Sequence, residues 1–134
     1  MLKLFGAKID YSFRPYPTSK IWSPKNLSAG TRSGLGPKSE IYNPGAVRLG
    51  KDVNISQDAY ICSASRKRRN GEFVLVIGTI EIEDDVWIAA KAFVGPNLKI
   101  GAGSIIGACT VLTKDTPKNS RATGNPATIT SEIH

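Results

Sequence analysis

Histidine is almost absent from this 134-residue chain: one occurs, His134, the last residue. That removes any zinc site built on several imidazoles, and it leaves no histidine inside a folded element to move protons near neutral pH. Cysteine is nearly as scarce. Cys62 and Cys109 stand far apart with no CxxC, which excludes a disulfide framework and a zinc knuckle and predicts a reduced, cytoplasmic setting. The opening MLKLFGAKIDYS holds no long apolar run, so neither a cleaved signal nor a membrane span is expected. Acidic residues are outnumbered, 11 against 18 Lys and Arg, giving a net charge of +7 and a pI near 9.6. Such a balance favours anionic partners, and a phosphate-bearing cofactor would account for part of it. The length suits one domain with a small core.

What the chain does have is a period. Cut into sixes, Ile82–Thr116 opens as IEDDVW, IAAKAF, VGPNLK, IGAGSI, IGACTV and continues into LTKDT. The first places are Ile82, Ile88, Val94, Ile100, Ile106 and Leu112; the fifth are Val86, Ala92, Leu98, Ser104, Thr110 and Thr116. A period of six fits neither a 3.6-residue helix nor a simple alternating hairpin. It fits a short strand followed by a tight corner, with the first and fifth places turned to one face. Gly, Ala or Asp beside the corner tolerates a φ above zero. Chained, such units give a flat-walled parallel β-helix, an all-β repeat architecture.

Taken in order, residues 1–20 read as an irregular lead-in or an imperfect first turn. The β-helix domain spans 21–116, and 117–134 form a C-terminal tail. Hexads open at Ala29, Leu35 and Ile41, then Val47 and Arg48 shift the phase by two and it resumes at Leu49, Ile55 and Ile61. Between Arg66 and Thr79 the register stops and later recovers, which predicts a loop excursion from one corner. A column of aliphatic openers alone does not offset the cost of ordering so much backbone, so self-association is expected.

Further segments carry a resemblance: IWSPKNL (Ile21–Leu27), IYN (Ile41–Asn43), ISQDAYICSAS (Ile55–Ser65), WIAAKAFVGP (Trp87–Pro96), VLTKD (Val111–Asp115) and GNPA. Together with the hexads they resemble the hexapeptide-repeat O-acetyltransferases of the maltose/galactoside and colanic-acid-biosynthesis type. That resemblance implies a left-handed parallel β-helix and a homotrimer. It also implies acetyl-CoA held in the groove between subunits, and transfer of its acetyl group to a hydroxyl of a sugar or similar small acceptor. Carried over by position, Trp87 lines the pantetheine channel, Ala90 lies near the cofactor thiol, and Ala108 offers backbone groups to the pantetheine amides. Thr113 and Lys114 meet the adenine end, Arg121 faces the CoA phosphates, and Asn43 contacts the acceptor. For Trp87, Ala108 and Asn43 the plainer reading is a filled wall or an asparagine ladder; for Lys114 it is a solvated charge.

The chain departs from that pattern at one decisive point. Where these enzymes carry their general-base histidine, directly after Cys62-Ser63-Ala64-Ser65, stands Arg66, followed by Lys67-Arg68-Arg69. A guanidinium keeps its proton at any physiological pH and cannot act as base. Asp58 and Glu72 flank the excursion and are the substitutes to consider; alternatively Arg66 could stabilise an oxyanion. Besides an active or weakened acetyltransferase, two further readings stand: a non-catalytic CoA-binding or structural trimer, and a polyanion-binding protein acting through Arg66–Arg69. No stacking aromatic lies within that basic run, which argues against specific nucleic-acid readout. The carbonic anhydrases built on the same helix need three histidine ligands and are excluded. No membrane partner is expected.

Overall fold

The computed structural model describes residues 2–131, the side chain of Leu4 excepted; His134 lies outside the described residues. Within them each hexad becomes a strand of two or three residues and a corner, and the strands stack into three parallel walls. The first wall holds Lys8–Ile9, Leu27–Ala29, Val47–Leu49, Ile80–Ile82 and Leu98–Ile100. The second holds Arg14–Pro15, Gly34–Leu35, Asn54–Ile55, Trp87–Ile88, Ile105–Ile106 and Ser120–Thr123, with Thr128–Ser131 returning antiparallel along the last. The third holds Lys20–Ile21, Glu40–Tyr42, Tyr60–Cys62, Phe93–Val94 and Val111–Leu112.

The core follows from the hexad. Every first and fifth place from Ile82 to Thr116 is buried. The first places fill mid-wall and the fifth places fill the inside of each corner. Hydroxyls there are satisfied by the next coil: Ser104 Oγ donates to the Pro117 carbonyl (3.0 Å) and accepts from Ser120 N–H (3.2 Å). The turn itself falls on the fourth place. Asp85, Lys91, Asn97, Gly103 and Cys109 all have φ between 58° and 75°. Sequence reading expects Gly, Ala or Asp at such corners. Lysine and cysteine occupy two of them because stacked corner hydrogen bonds, such as Cys109 N–H to the Ala90 carbonyl (2.9 Å), hold the left-handed backbone.

The phase shift at Val47 also resolves. Ala29 pairs with Leu49, twenty residues on, whereas Ile82 pairs with Ile100, eighteen on. The N-terminal coils therefore carry two extra residues each, all at the corner between the third and first walls. Val47 and Leu49 both point inward, as Leu98 and Ile100 do, so the shift leaves the core column unbroken.

The coil is also longer than 21–116. Lys8–Ile9 pairs with Ser28–Ala29 and Arg14–Pro15 with Gly34–Leu35, so the lead-in is a first coil. At the other end Ile105–Ile106 pairs with Arg121–Ala122, so the tail adds part of another. The excursion is an antiparallel ribbon of Ala64–Arg69 and Glu72–Ile77, leaving from the corner between third and first walls. Among the described residues, no helix is long and apolar enough to cross a membrane.

Candidate functional site

Three of the predicted cofactor residues share one edge. Trp87 projects from the second wall just before its corner with the third, 48% exposed, its indole N–H donating to Ser56 Oγ at 2.8 Å. Fixing that one polar atom leaves the indole plane as a preset wall for a ligand. Ala90 and Ala108 sit on the following corners of successive coils, tied by the bond from Cys109 N–H to the Ala90 carbonyl. Neither side chain reaches past its own methyl, so the backbone there can be approached closely. Arg121 lies on the second wall above Ile105, which in turn pairs with Trp87; the Arg121 carbonyl accepts from Thr130 Oγ1 (3.5 Å).

The others lie elsewhere. Thr113 and Lys114 follow the last strand of the third wall, exposed at its corner with the first wall. Arg66 stands on the ribbon that leaves that same corner two coils lower. In one chain the third wall separates the two groups, Trp87, Ala90, Ala108 and Arg121 on one side, Thr113, Lys114 and Arg66 on the other.

Asn43 occupies the widened corner and is fully buried. Its Oδ1 accepts from Ser23 N–H and its Nδ2 donates to the Ser23 carbonyl, both at 2.9 Å. One coil below, Asn26 Nδ2 donates to the Asn43 and Pro44 carbonyls (3.1 and 2.9 Å). One coil above, Ser63 Oγ accepts from Gly45 N–H and donates to the Gly45 carbonyl, both at 3.0 Å. A side chain so enclosed and so fully bonded has no surface to offer an acceptor; its work is to fill the corner.

On the ribbon, Arg66 faces Leu75 and Arg68 faces Phe73, while Lys67 faces Val74 and Arg69 faces Glu72. Alternation sends Arg66 and Arg68 to one surface and Lys67 and Arg69 to the other. The four cations thus form two half-patches, and Phe73, Leu75 and Ile77 stand exposed beside Arg66 and Arg68. Of the candidate substitute bases, Asp58 sits exposed with φ 58° on the corner between second and third walls, one coil below Ala90 and two residues from Ser56, and Glu72 lies at the ribbon tip opposite Arg69. Asp58 therefore neighbours the Trp87 edge but not Arg66, and Glu72 adjoins neither along the coil.

The third wall's outer surface is aromatic. Trp22, Tyr42, Tyr60 and Phe93 follow one another along it, Tyr60 stacked on Phe93 with ring centroids 5.9 Å apart. Burial pushes the Tyr60 hydroxyl pKa up, with Cys62, Glu40 and Tyr42 adding to the shift. By contrast the first wall presents Lys8, Ser28, Arg48, Glu81 and Lys99. Sequence reading missed Ser56 and this aromatic run. The run was signalled by the triplets Lys20-Ile21-Trp22, Glu40-Ile41-Tyr42 and Tyr60-Ile61-Cys62, which repeat at the same twenty-residue step.

A three-walled parallel coil of this kind defines a class, the left-handed β-helices of the hexapeptide-repeat transferases. The family model "Bacterial transferase hexapeptide (six repeats)" matches residues 79–114. The chain is 33% identical over 132 residues to WcaF of Escherichia coli K12, named as a colanic acid biosynthesis acetyltransferase, covering 98% of this chain and 72% of that one. It is 30% identical over 138 residues to the galactoside O-acetyltransferase of Lactococcus lactis, covering 98% and 65%. The solved hexapeptide-repeat acetyltransferase VCA0836 of Vibrio cholerae, complexed with acetyl coenzyme A, superposes with a TM-score of 0.88 at 25% identity, covering 98% and 73%. The chain belongs to the hexapeptide-repeat acetyltransferase family.

Proposed function

We propose that this protein is an acetyl-CoA-dependent O-acetyltransferase. It works as a homotrimer and acetylates a hydroxyl of a sugar or similar small acceptor, at a rate lowered by the absence of a histidine base. The observation that carries the reading is the division of the cofactor residues between two edges. Trp87, Ala90, Ala108 and Arg121 serve a ligand lying along one edge, and Thr113, Lys114 and Arg66 one lying along the other. A groove between two copies joins one copy's first edge to its neighbour's second, so that one CoA meets both sets. The half-buried Tyr60 and Phe93 of the third wall and the exposed Phe73, Leu75 and Ile77 supply apolar surface for that contact, which the charged first wall does not. Two free thiols, Cys62 and Cys109, support a reducing, cytoplasmic setting.

In the reaction the acceptor oxygen attacks the thioester carbonyl, the C–O bond forms, and the C–S bond breaks with CoA leaving as its thiol. The proton of the acceptor hydroxyl must leave as that bond forms. Arg66 cannot take it; its guanidinium can only stabilise the negative charge that builds on the carbonyl oxygen. Proton removal then falls to water or to the departing thiolate. Calorimetric titration with acetyl-CoA tests the cofactor groove, and light scattering tests the assembly. Saturable binding at micromolar to submillimolar ligand by a trimer is expected; no heat at millimolar acetyl-CoA, or a monomer that binds it fully, overturns the reading.

A further inference from the structure

With Asn43 enclosed, the acceptor contact must come from other side chains, and the third wall carries a set built for it. Trp22 is 59% exposed, yet its indole is fixed: Nε1–H donates to Glu40 Oε2 at 2.5 Å, and the ring meets Tyr42 edge to face, centroids 5.5 Å apart at 88°. An exposed tryptophan whose single polar atom is already bonded offers only a preset aromatic plane. Around that plane stand groups with open valences. Glu40 Oε1, the Tyr42 hydroxyl and the Lys20 ammonium have no hydrogen-bond or ion-pair partner among the described residues, although Lys20 and Glu40 are direct register neighbours. Lys20, Ile21 and Trp22 line a surface hollow of about 300 Å³, with Glu40 and Tyr42 on the next coil.

We infer that Trp22, Glu40, Tyr42 and Lys20 form a subsite for a pyranose ring. The chemistry matches on both counts. A pyranose presents a face of polarised C–H bonds, which the electron-rich face of an indole attracts. Its rim carries hydroxyls that need an acceptor and donors at fixed positions, and Glu40 supplies the first while Lys20 and Tyr42 supply the others. Placement agrees as well. Glu40 and Phe93 are both register partners of Tyr60, so Glu40 lies two strand spacings, roughly 10 Å, below Phe93 along the groove. Phe93 directly follows the Ala90 corner, where the acetyl end of the cofactor is placed above. The ring on Trp22 is thus the acceptor, or the non-reacting residue of a disaccharide acceptor, held below the thioester.

This inference rests on the proposed acetyltransferase reading, and one set of samples separates the two. Saturation-transfer NMR is run on the full chain with methyl glucoside, methyl galactoside, maltose and lactose, alongside acetyl-CoA titration of the same protein. Transfer to sugar ring C–H protons is expected for at least one of the four. It should be lost in Trp22→Ala, kept in Trp22→Phe, and weakened at least tenfold in affinity by Glu40→Gln, with acetyl-CoA affinity within twofold of wild type throughout. No transfer from any of the four sugars, or transfer that persists in Trp22→Ala and Glu40→Gln alike, overturns the subsite. Should Trp22→Ala fail to fold by circular dichroism, Glu40→Gln and Trp22→Phe decide. A Trp22→Ala protein that changes its assembly by light scattering but keeps sugar transfer shows the indole to be an intersubunit contact, and also overturns it. Sugar binding without acetyl-CoA binding would sink the acetyltransferase reading and leave the subsite standing.

Discussion

The N-terminal and C-terminal coils solve the same geometric problem with different chemistry. From Ile82 to Leu112 successive coils are eighteen residues apart, and their corners close on buried small side chains such as Ala92 and Thr110. Before Cys62 each takes twenty, and the wider corner is filled by Asn26, Asn43 and Ser63 bonding to the coils above and below. Where small buried side chains close the corner, the sequence is regular. Where asparagine amides brace it, the coil is longer by two residues, and at that same corner the ribbon carrying Arg66 leaves the stack. Variation in this fold is concentrated at that braced corner, and the reacting half of the proposed site lies there.

The largest effect that would sharpen this contrast is catalytic. Restoring an imidazole with Arg66→His should raise acceptor-dependent thiol release from acetyl-CoA by about 100-fold or more, since a positioned base contributes on that order. A rate unchanged in the variant would show that the reaction uses a base elsewhere. Next is Gly45→Ala. A Cβ at Gly45 would run into the Gly78 carbonyl oxygen at the foot of the ribbon, and both backbone segments would have to move. A stability loss of about 3 kcal/mol or more is expected in urea denaturation.

Asn43→Ala compared with Ser104→Ala tests the two corner chemistries directly. Removing the Asn43 amide leaves the Ser23 N–H without a partner and the Ser23 carbonyl with Asn26 N–H alone, and it empties a closed corner, for about 2–3 kcal/mol. Ser104→Ala, at a corner of ordinary width, should cost about 1 kcal/mol because Ser120 N–H loses its acceptor while the Pro117 carbonyl keeps the Ser120 hydroxyl. Equal losses at the two sites would erase the distinction. The smallest effect lies on the exposed edge between first and second walls, where Arg32 grips Asp52 through two bonds of 2.7 and 2.8 Å. The hydrogen bond from Arg32, more than its charge, holds the Asp52 carboxyl below its usual 3.8. A depressed carboxylate pKa stabilises the folded state above 3.8 and loses that contribution as pH falls through the lowered value. Thermal melts of Arg32→Gln should therefore lie slightly below wild type at pH 7 and converge with it near pH 2.

Much of the fold was legible because the period writes the core directly into the chain: first and fifth places are the interior. The corners were less so. Lys91 and Cys109 at left-handed turns are decided by hydrogen bonds between coils, which a single hexad does not contain. The extra residues at Val47 read as a lost phase because the eye follows spacing, while the fold follows which face a residue meets. For the site, Trp87, Ala90 and Ala108 stand on one edge as their shared stretch of sequence suggests. Asn43 does not reach the surface, and its burial depends on Ser23, Asn26 and Ser63, residues seventeen to twenty positions away whose segments do not announce a shared corner. Trp22 and Glu40 were hidden for the same reason, being one group only after the coil has turned once.

A solenoid is in principle a template without an end, since its last strand offers a row of amides and carbonyls to whatever arrives next. Here Thr128–Ser131 folds back along Ser120–Thr123 and takes those groups on the second wall, running against every other strand of that wall. A second molecule arriving end-on to add a parallel strand there meets the edge of a strand running the other way. The return strand therefore works as a chain stop, ending a structure whose every internal rule is to continue, and it steers association of copies toward their sides.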